Sequence, residues 1–432
     1  MSASSWDETI DVAPPAVVTV PAVRWNPITR VLFRFAFSYL ILYNFPFPLD
    51  YFWPKVFGVF GRFDEQMWRA IVPAVGKRFF GLTITIFTNG SGDTTYDYVK
   101  ALCMLVVAVA VTLIWSILDR RRLAYTRLHG WLHVYVRFAL GAAMIAYGAA
   151  KVIPPTQFPA PTIDRLTQPF GDASPMGLVW TFMGASAAYT FFTGVGELLS
   201  GVLLMIRRTA LLGALIGIAV LANIVALNFF YDVPVKLFSS HLLAMAVFLV
   251  LPDTRRLAQF FVLHPPSQLF QRKSRRIAGF VLGTAVALFI IFSAFQQATG
   301  IQIPRSPIRG IWNVDTLTVD GVDHPPLVTD GTRWRRLVFD YAQTVAFQNM
   351  FDSRTRYGLE LSESNGMMHL KKRNDPKWSA TLFFKRPAPN EIVLDGSMDG
   401  HMYHALLHKA NEQSFHLTTR GFHWINEYPY NR

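Results

Sequence analysis

The stretch TALLGALIGIAVLANIVALNFF, residues 209–230, decides the fold class of this chain. It contains no charged residue, and its length matches the ~20 apolar residues that an α-helix needs to cross a bilayer. Apolar blocks of similar character lie at 30–46, 99–118, 130–151, 178–206, 235–252 and 277–298. Overall 52% of the residues are hydrophobic and 16% are charged, against roughly 25% charged residues in soluble domains. The sequence therefore predicts a polytopic α-helical membrane bundle of about seven transmembrane helices.

After residue 304 the apolar blocks give way to short runs in which apolar and polar residues alternate, as in antiparallel strands. These runs are GIWNVDTLTV, RWRRLVFD, RYGLEL, GMMHLKK, WSATLFF, EIVLDG, HMYHALLHK and SFHLTTR. Turn dipeptides separate several of them: Asp320-Gly321, Asp330-Gly331, Asn365-Gly366, Asp395-Gly396 and Asp399-Gly400. The tail is predicted to be an all-β antiparallel barrel or sandwich.

Basic residues indicate the membrane topology, because Lys and Arg concentrate in cytoplasmic loops. Clusters at 120–127, 207–208 and 255–276 fall on one side if the N-terminus is cytoplasmic. The loop 47–98 breaks this pattern, and we interpret its mixed aromatic and basic residues as helices lying in the interface. We expect a bacterial-type inner membrane protein with its N-terminus inside and its β domain outside.

The predicted organisation has six parts: a polar segment 1–29, two transmembrane helices with their loop over 30–129, a four-helix unit over 130–253, a basic linker 254–276, a seventh span within 277–303, and the β domain 304–432. The net charge of +13 fits contact with anionic lipid, so no nucleic-acid partner is expected. Cys103 is alone, which excludes an intramolecular disulfide or a cysteine metal site.

Three ionisable residues from three predicted spans are the leading candidates for a ligand-binding site. Glu197 lies in TFFTGVGELLSGVLL (190–204), Lys151 ends the third block, and His241 lies within the sixth. Ionisable groups in membrane helices are costly and usually face the bundle interior or a watery cavity. The alternative is that they form structural ion pairs and hydrogen bonds between helices, and the sequence leaves both interpretations open.

Four further polar residues are weaker candidates. Arg137 lies nearly four helical turns before Lys151, so both are on one side of the same helix. Asp232 and Lys236 are one turn apart and alternatively form an interfacial ion pair. Asn228 alternatively serves helix packing. The Pro-rich segment 157–177 is either a lid over the bundle or an ordinary connector.

Residues 130–253 resemble the DoxX family in several short motifs. These are RFALGAAMIAYGAAKVI (137–153), TGVGELLSGVLL (193–204), the RRT turn at 207–209, and SSHLLAMAVFLVLPD (239–253). The resemblance implies a four-helix membrane unit associated with redox systems, such as thiosulfate:quinone oxidoreductase subunits, and contact with quinones. A relative in methylamine utilisation is tied to thiol chemistry, but one cysteine cannot perform dithiol exchange.

The tail resembles a lipocalin-like barrel, since Gly310-Ile311-Trp312 matches the GxW pattern at the first strand. Arg420 is then expected on the last strand, packing over that tryptophan. A barrel of this size either holds one small apolar ligand or is filled by side chains. His401, His404 and His408 invite a metal interpretation, but strand alternation turns His401 away from the others, and no metal site is expected.

These observations favour an accessory protein. Its bundle is expected to bind a lipidic, quinone-like molecule, and its β domain is expected to contact another subunit of a membrane redox complex outside the cytoplasm. One alternative is a membrane enzyme acting on a quinol, with Lys151, Glu197 and His241 as acid–base groups. The other is a transporter for a small anion or lipid. The sequence shows no nucleophile–base pair, nucleotide-binding loop or metal signature, which disfavours a catalytic assignment.

Overall fold

The computed structural model describes residues 24–48, 54–86, 90–153, 157–263, 277–299, 304–411, 415–421 and 423–424. The chain forms two compact units. The first contains residues 1–87 and 95–136, and the second contains residues 88–94 and 137–432. The predicted polar segment 1–29 lies largely outside the described residues, and so does most of the basic linker.

The first unit is built from α1 (Pro27–Asn44), α2 (Pro54–Phe80), α3 (Thr95–Leu118) and the start of α4 (Thr126–Val152). One of its buried charges is Arg34, which is 4% exposed. The Arg34 guanidinium donates to the Tyr125 hydroxyl, the Ser116 hydroxyl and the Asp119 carbonyl. Because these acceptors satisfy the guanidinium, Arg34 has a structural role.

The second unit contains the remainder of α4 and, before the barrel, seven further α-helices among the described residues. They are α5 (Ile163–Leu166), α6 (Pro175–Ala185), α7 (Ala187–Met205), α8 (Ala210–Phe230), α9 (Lys236–Val250), α10 (Thr254–Ala258) and α11 (Ile277–Thr299). The predicted single span 178–206 is wrong, since Ser186 leaves the helical conformation and divides it into α6 and α7. The Ser186 hydroxyl then accepts from the Tyr189 amide and starts α7 as its N-cap.

Five helices among the described residues are long and apolar enough to cross a membrane. They span Thr95–Leu118, Thr126–Val152, Ala187–Met205, Ala210–Phe230 and Lys236–Val262. The first and last predicted spans are helical as α1 and α11, but neither belongs to this set. The chain therefore has the helices of a membrane protein, and the count of seven crossings stays a prediction.

Glycines bring α4 and α7 into backbone contact. A Cβ placed on Gly148 would lie 2.5 Å from the Leu198 amide nitrogen, and one on Gly201 would lie 2.8 Å from the Ile145 nitrogen. A Cβ on Gly194 would lie 2.7 Å from the Cβ of Lys151. Only glycine fits such approaches, so the small residues seen in the sequence form the α4–α7 seam.

The C-terminal part is an antiparallel barrel. Its strands are β1 (Arg305–Val319), β2 (Val322–Asp323), β3 (Trp334–Tyr341), β4 (Thr344–Asn349), β5 (Arg354–Ser362), β6 (Met367–Lys372), β7 (Asp375–Lys385), β8 (Glu391–Met398) and β9 (His401–Lys409). β1 pairs with β3 on one side and with β9 on the other, which closes an eight-stranded ring to which β2 is added. Buried side chains from all eight strands of the ring form one apolar core, including Trp312, Phe339 and Leu382.

Some of the turn dipeptides form barrel turns as predicted, whereas Asp395-Gly396 does not. Asp320-Gly321 and Asp399-Gly400 have positive φ at both positions and join β1 to β2 and β8 to β9, as such turns require. Asp395-Gly396 is not a turn and lies inside β8. Its glycine is needed there because a Cβ would lie 2.6 Å from the Thr381 carbonyl oxygen of β7.

Two other expectations for the tail are wrong. The run SFHLTTR contains the short helix α12 (His416–Thr419) instead of a strand, so Arg420 lies beyond the last strand. The cation over the Trp312 ring is Lys409, whose Nζ lies 5.8 Å from the ring centroid. The sequence analysis also missed β4, a short strand whose four central residues are all buried and therefore show no alternation.

Candidate functional site

The centre of the candidate site is a buried ion pair between α4 and α7. Lys151 Nζ donates to Glu197 Oε1, and the two residues are 6% and 2% exposed. Lys151 ends α4, where Gly194 lets the two backbones approach, and Glu197 lies near the middle of α7. For Glu197 the sequence left open a ligand-binding role or a structural ion pair between helices, and the structure contains an ion pair. Each charge compensates the burial cost of the other.

The segment after α4 covers this ion pair. The Phe158 ring lies 5.8 Å from Lys151 Nζ, and it makes an edge contact with Trp180 of α6 at 5.0 Å between centroids. The Pro159 carbonyl contacts α6 so closely that a Cβ on Gly184 would lie 2.1 Å from its oxygen. Phe158 and α6 therefore form an aromatic cap over Lys151.

The same segment is fastened to the barrel through α5. Asp164 forms ion pairs with Arg354 (2.9 Å) and Arg356 (2.7 Å) of β5. The Ile163 amide donates to Asp340 of β3, and its side chain packs against Ile311, Val338 and Ala346 on the outside of the barrel. Burial lowers the pKa of Arg354, and the carboxylate of Asp164 opposes that effect. One segment thus contacts the buried ion pair at one end and the barrel at the other.

Aromatic residues of two helices lie near the ion pair. The Tyr147 side chain is close enough to Glu197 for an electrostatic interaction, and its ring lies 5.8 Å from that of Phe238 in α9. His241 is one turn further along α9, where its Nδ1 lies 2.7 Å from the Leu237 carbonyl. The structure therefore joins Lys151 and Glu197 directly. His241 lies on α9, the helix that packs against Tyr147, and its Nδ1 contacts a backbone carbonyl of α9 itself.

Asp232, Lys236 and Asn228 form structural contacts at the α8–α9 connection. Lys236 Nζ lies 2.8 Å from Asp232 Oδ1, the ion pair that the sequence offered as an alternative. Asn228 donates to the Ser239 hydroxyl at 2.9 Å and so joins α8 to α9. The Asp93 carboxylate accepts from the amides of Lys236 and Leu237, and therefore caps α9.

Arg137 lies apart from the ion pair. Fourteen residues along α4 separate it from Lys151, which corresponds to about 21 Å of helix. Its guanidinium lies 4.9 Å from the ring centroid of Phe138, and the neighbouring charge is that of Arg207. The structure therefore does not bring Arg137 to the Lys151–Glu197 site.

His401, His404 and His408 contact carboxylates of neighbouring strands or turns. His401 lies beside Asp320, His404 beside Asp395, and His408 beside Asp315 and Glu391. Among the described residues, no group of three or more His, Cys, Asp or Glu side chains is arranged to hold a metal ion. The three histidines thus belong to separate surface pairs.

Phe158 and Asp164, which cover and fasten the site, lie in the segment 157–177 but were not predicted as site residues. One usable signal was present: the motif QFPAP places an aromatic residue between the end of a membrane helix with a buried lysine and two prolines. Asp164 gave no comparable signal, because its partners lie 190 or more residues away in the chain.

No known family model matches the chain, and no solved structure matches it. Over 131 residues the chain is 35% identical to the uncharacterized protein YwoB of Bacillus subtilis (strain 168). The matched region covers 30% of this chain and 81% of that protein. Through this region, the chain belongs to the same family as the uncharacterized protein YwoB.

Proposed function

We propose that this membrane protein binds a lipidic small molecule with a polar head, of the quinone type, beside the Lys151–Glu197 pair. In this proposal it serves as an accessory subunit of a membrane redox complex. The observation that carries the proposal is the buried ion pair between α4 and α7, on a helix that begins at the break at Ser186. In membrane proteins, paired intramembrane charges and interrupted helices recur at binding sites.

The chemistry of the surrounding groups supports a ring with carbonyl oxygens as the ligand. The Lys151 ammonium donates three hydrogen bonds, of which Glu197 takes one, so it retains donors for a ligand carbonyl. Tyr147, Phe158 and Trp180 offer aromatic faces nearby, against which a planar ring packs well. The proposal includes an elongated apolar cavity for this ligand between α4, α7, α8 and α9.

The attachment of the lid segment to the barrel supports an accessory role. Asp164 and Ile163 link the cap over the ion pair to β3 and β5. A partner bound to the barrel would therefore influence the cover of the ligand site directly. We include in the proposal that the N-terminus is cytoplasmic and that the barrel, outside the cytoplasm, contacts such a partner.

The test is to purify the full chain from membranes, extract it with organic solvent, and measure menaquinone and ubiquinone per folded protein. Wild-type protein should retain quinone. Glu197→Gln should reduce that content by at least about tenfold, because it removes the carboxylate charge that holds the Lys151 ammonium in place for the ligand carbonyl. The absence of quinone in wild-type extracts, together with no thermal shift when menaquinone or ubiquinone is added, would reject the quinone proposal.

Asn228→Ala is the matched control. It also removes a buried polar contact between two helices, the bond to Ser239, but it leaves the Lys151–Glu197 pair intact. It should lower stability by about 1 kcal/mol and leave the quinone content per folded protein unchanged. Equal loss of quinone per folded protein in both variants would mean that quinone retention has no specific need for the ion pair, which would then be a structural clasp.

A further inference from the structure

Arg137 lies at the opposite end of α4 from the ion pair, and no acidic side chain in the described part of the chain compensates its charge. The residue is 8% exposed, and its Nε is buried without a hydrogen-bond partner among the described residues. Its one ring contact is to Phe138, the next residue in its own helix. A buried guanidinium with neither a carboxylate nor oxygen acceptors is strongly unfavourable, and an anion would satisfy it.

The surroundings of Arg137 make this requirement stronger. α4 and α7 run antiparallel along the glycine seam. Gly148 therefore meets Leu198, and Gly141, two turns along, meets Met205. One further turn brings Arg137 to the level of the α7–α8 turn, where Arg207 is exposed and interacts with it electrostatically. Two positive charges thus lie together, and neither has an ion pair with an acidic side chain in the described part of the chain.

A third element reaches the same turn. α11 packs so closely on the end of α7 that a Cβ on Gly283 would lie 2.3 Å from the Met205 carbonyl oxygen. The next residue, Thr284, has a buried hydroxyl that also lacks a hydrogen-bond partner among the residues that the structure describes. α4, α11 and the α7–α8 turn therefore each bring a donor to this end of α7, where a monoanion would satisfy them.

We infer that Arg137 and Arg207 bind the phosphate of an anionic phospholipid, with Thr284 as a neutral donor. The planar guanidinium of Arg137 matches two phosphate oxygens. The lipid is favoured over free phosphate because this turn ends two membrane-spanning helices and is predicted to lie at the head-group level. Acyl chains would then lie against the apolar surfaces of α4 and α11. This site is separate from the Lys151–Glu197 site and does not depend on the proposed quinone binding.

The test uses the full chain in neutral detergent, with phosphatidylglycerol, phosphatidylcholine and inorganic phosphate as probes. Native mass spectrometry should show phosphatidylglycerol retained by wild type, with an apparent affinity at least about tenfold above that for phosphatidylcholine. Arg137→Met should abolish this preference. Arg256→Gln is the control, since it removes an exposed basic residue that pairs with Asp253, and it should retain the preference.

Thermal unfolding is a second measurement. The difference in melting temperature between Arg137→Met and wild type should have opposite signs in neutral detergent and in phosphatidylglycerol. In neutral detergent, Arg137→Met should melt above wild type because it removes an uncompensated buried charge. In phosphatidylglycerol, wild type should gain stability and the variant should not. Arg207→Gln should show a smaller loss of the same lipid effect, which keeps the test decisive if Arg137→Met fails to fold. Equal lipid preference in wild type and both variants, or equal stabilisation of wild type by inorganic phosphate, would overturn the inference.

Discussion

At the scale of single residues, the buried charges of this protein are treated in three different ways. Arg34 is satisfied by hydroxyl and carbonyl oxygens, Lys151 and Glu197 satisfy each other, and Arg137 lacks a hydrogen-bond partner within the described chain. The barrel offers a fourth case, since the guanidinium of Arg333 is 1% exposed and donates to four backbone carbonyls. Only the unsatisfied case calls for a ligand on energetic grounds alone.

The coupling between Lys151 and Glu197 gives the first prediction. Lys151→Met leaves a buried carboxylate and Glu197→Gln leaves a buried ammonium, so each should destabilise the second unit by about 3–5 kcal/mol. The double variant removes both charges and should cost clearly less than the sum of the two single changes. Thermal unfolding of the four proteins in one detergent measures this cycle. Strictly additive losses would show that the two side chains are not coupled.

Asp330, in the loop before β3, gives a pH prediction. Hydrogen bonds from the Thr332 hydroxyl, and then from His324, hold the pKa of this carboxyl well below its ordinary value. A carboxyl whose pKa is lowered by folding stabilises the barrel above the unfolded pKa of about 3.9. That contribution is lost as the pH falls below about 4 towards the lower folded pKa.

Asp330→Asn should therefore flatten the dependence of barrel stability on pH. The measurement is urea unfolding of the full chain in detergent at pH 7, 4 and 3, followed by tryptophan fluorescence. Wild type should lose more of its stability than the variant between pH 4 and 3. Parallel curves for the two proteins would assign acid sensitivity to other groups.

At the scale of elements, the glycine spacing of α7 predicted its close packing, and the structure supplies the partner, α4. Gly148 and Gly130 both lie in α4, but only Gly148 meets α7, whereas a Cβ on Gly130 would have open space around it. Gly148→Ala should separate the helices and expose the Lys151–Glu197 pair, with a loss of about 2 kcal/mol or more. Gly130→Ala should instead stabilise α4 by up to about 1 kcal/mol. Thermal unfolding of the two variants measures this difference. Equal changes in stability would contradict the close packing of α4 on α7 at Gly148.

The elements also show what local patterns can predict. Strands β1, β3 and β5 to β9 follow from period-two alternation, because alternate side chains of each strand pack on the barrel core. The break at Ser186 could not be predicted, because α6 and α7 are apolar on both sides of it. Asp93 lies just before α3 in the chain, yet it caps α9, 143 residues away. Such contacts depend on tertiary packing, which a local window does not contain.

At the scale of the whole second unit, two ends can be distinguished. The barrel is fastened to the segment after α4 through Asp164, at the Lys151 end of that helix. The arginine turn at 207–208 lies at the other end of α7, and Gly283 of α11 packs there before the chain continues into the barrel. This arrangement supports a proposal in which α11 crosses the membrane and places the barrel opposite the arginine turn.

The last prediction tests that topology and uses the single cysteine of the chain. Cys103 is buried, so Cys103→Ser provides a background in which one new cysteine can be placed on the surface. Asp399→Cys lies in the exposed β8–β9 turn of the barrel, and Arg208→Cys lies in the turn between α7 and α8. In intact spheroplasts, a membrane-impermeant maleimide should label the cysteine at position 399 of the barrel and leave the cysteine at position 208 unlabelled. In lysed spheroplasts it should label both cysteines, which shows that both are reactive. Labelling of both positions in intact spheroplasts would place the two ends on one side of the membrane and remove the crossing by α11.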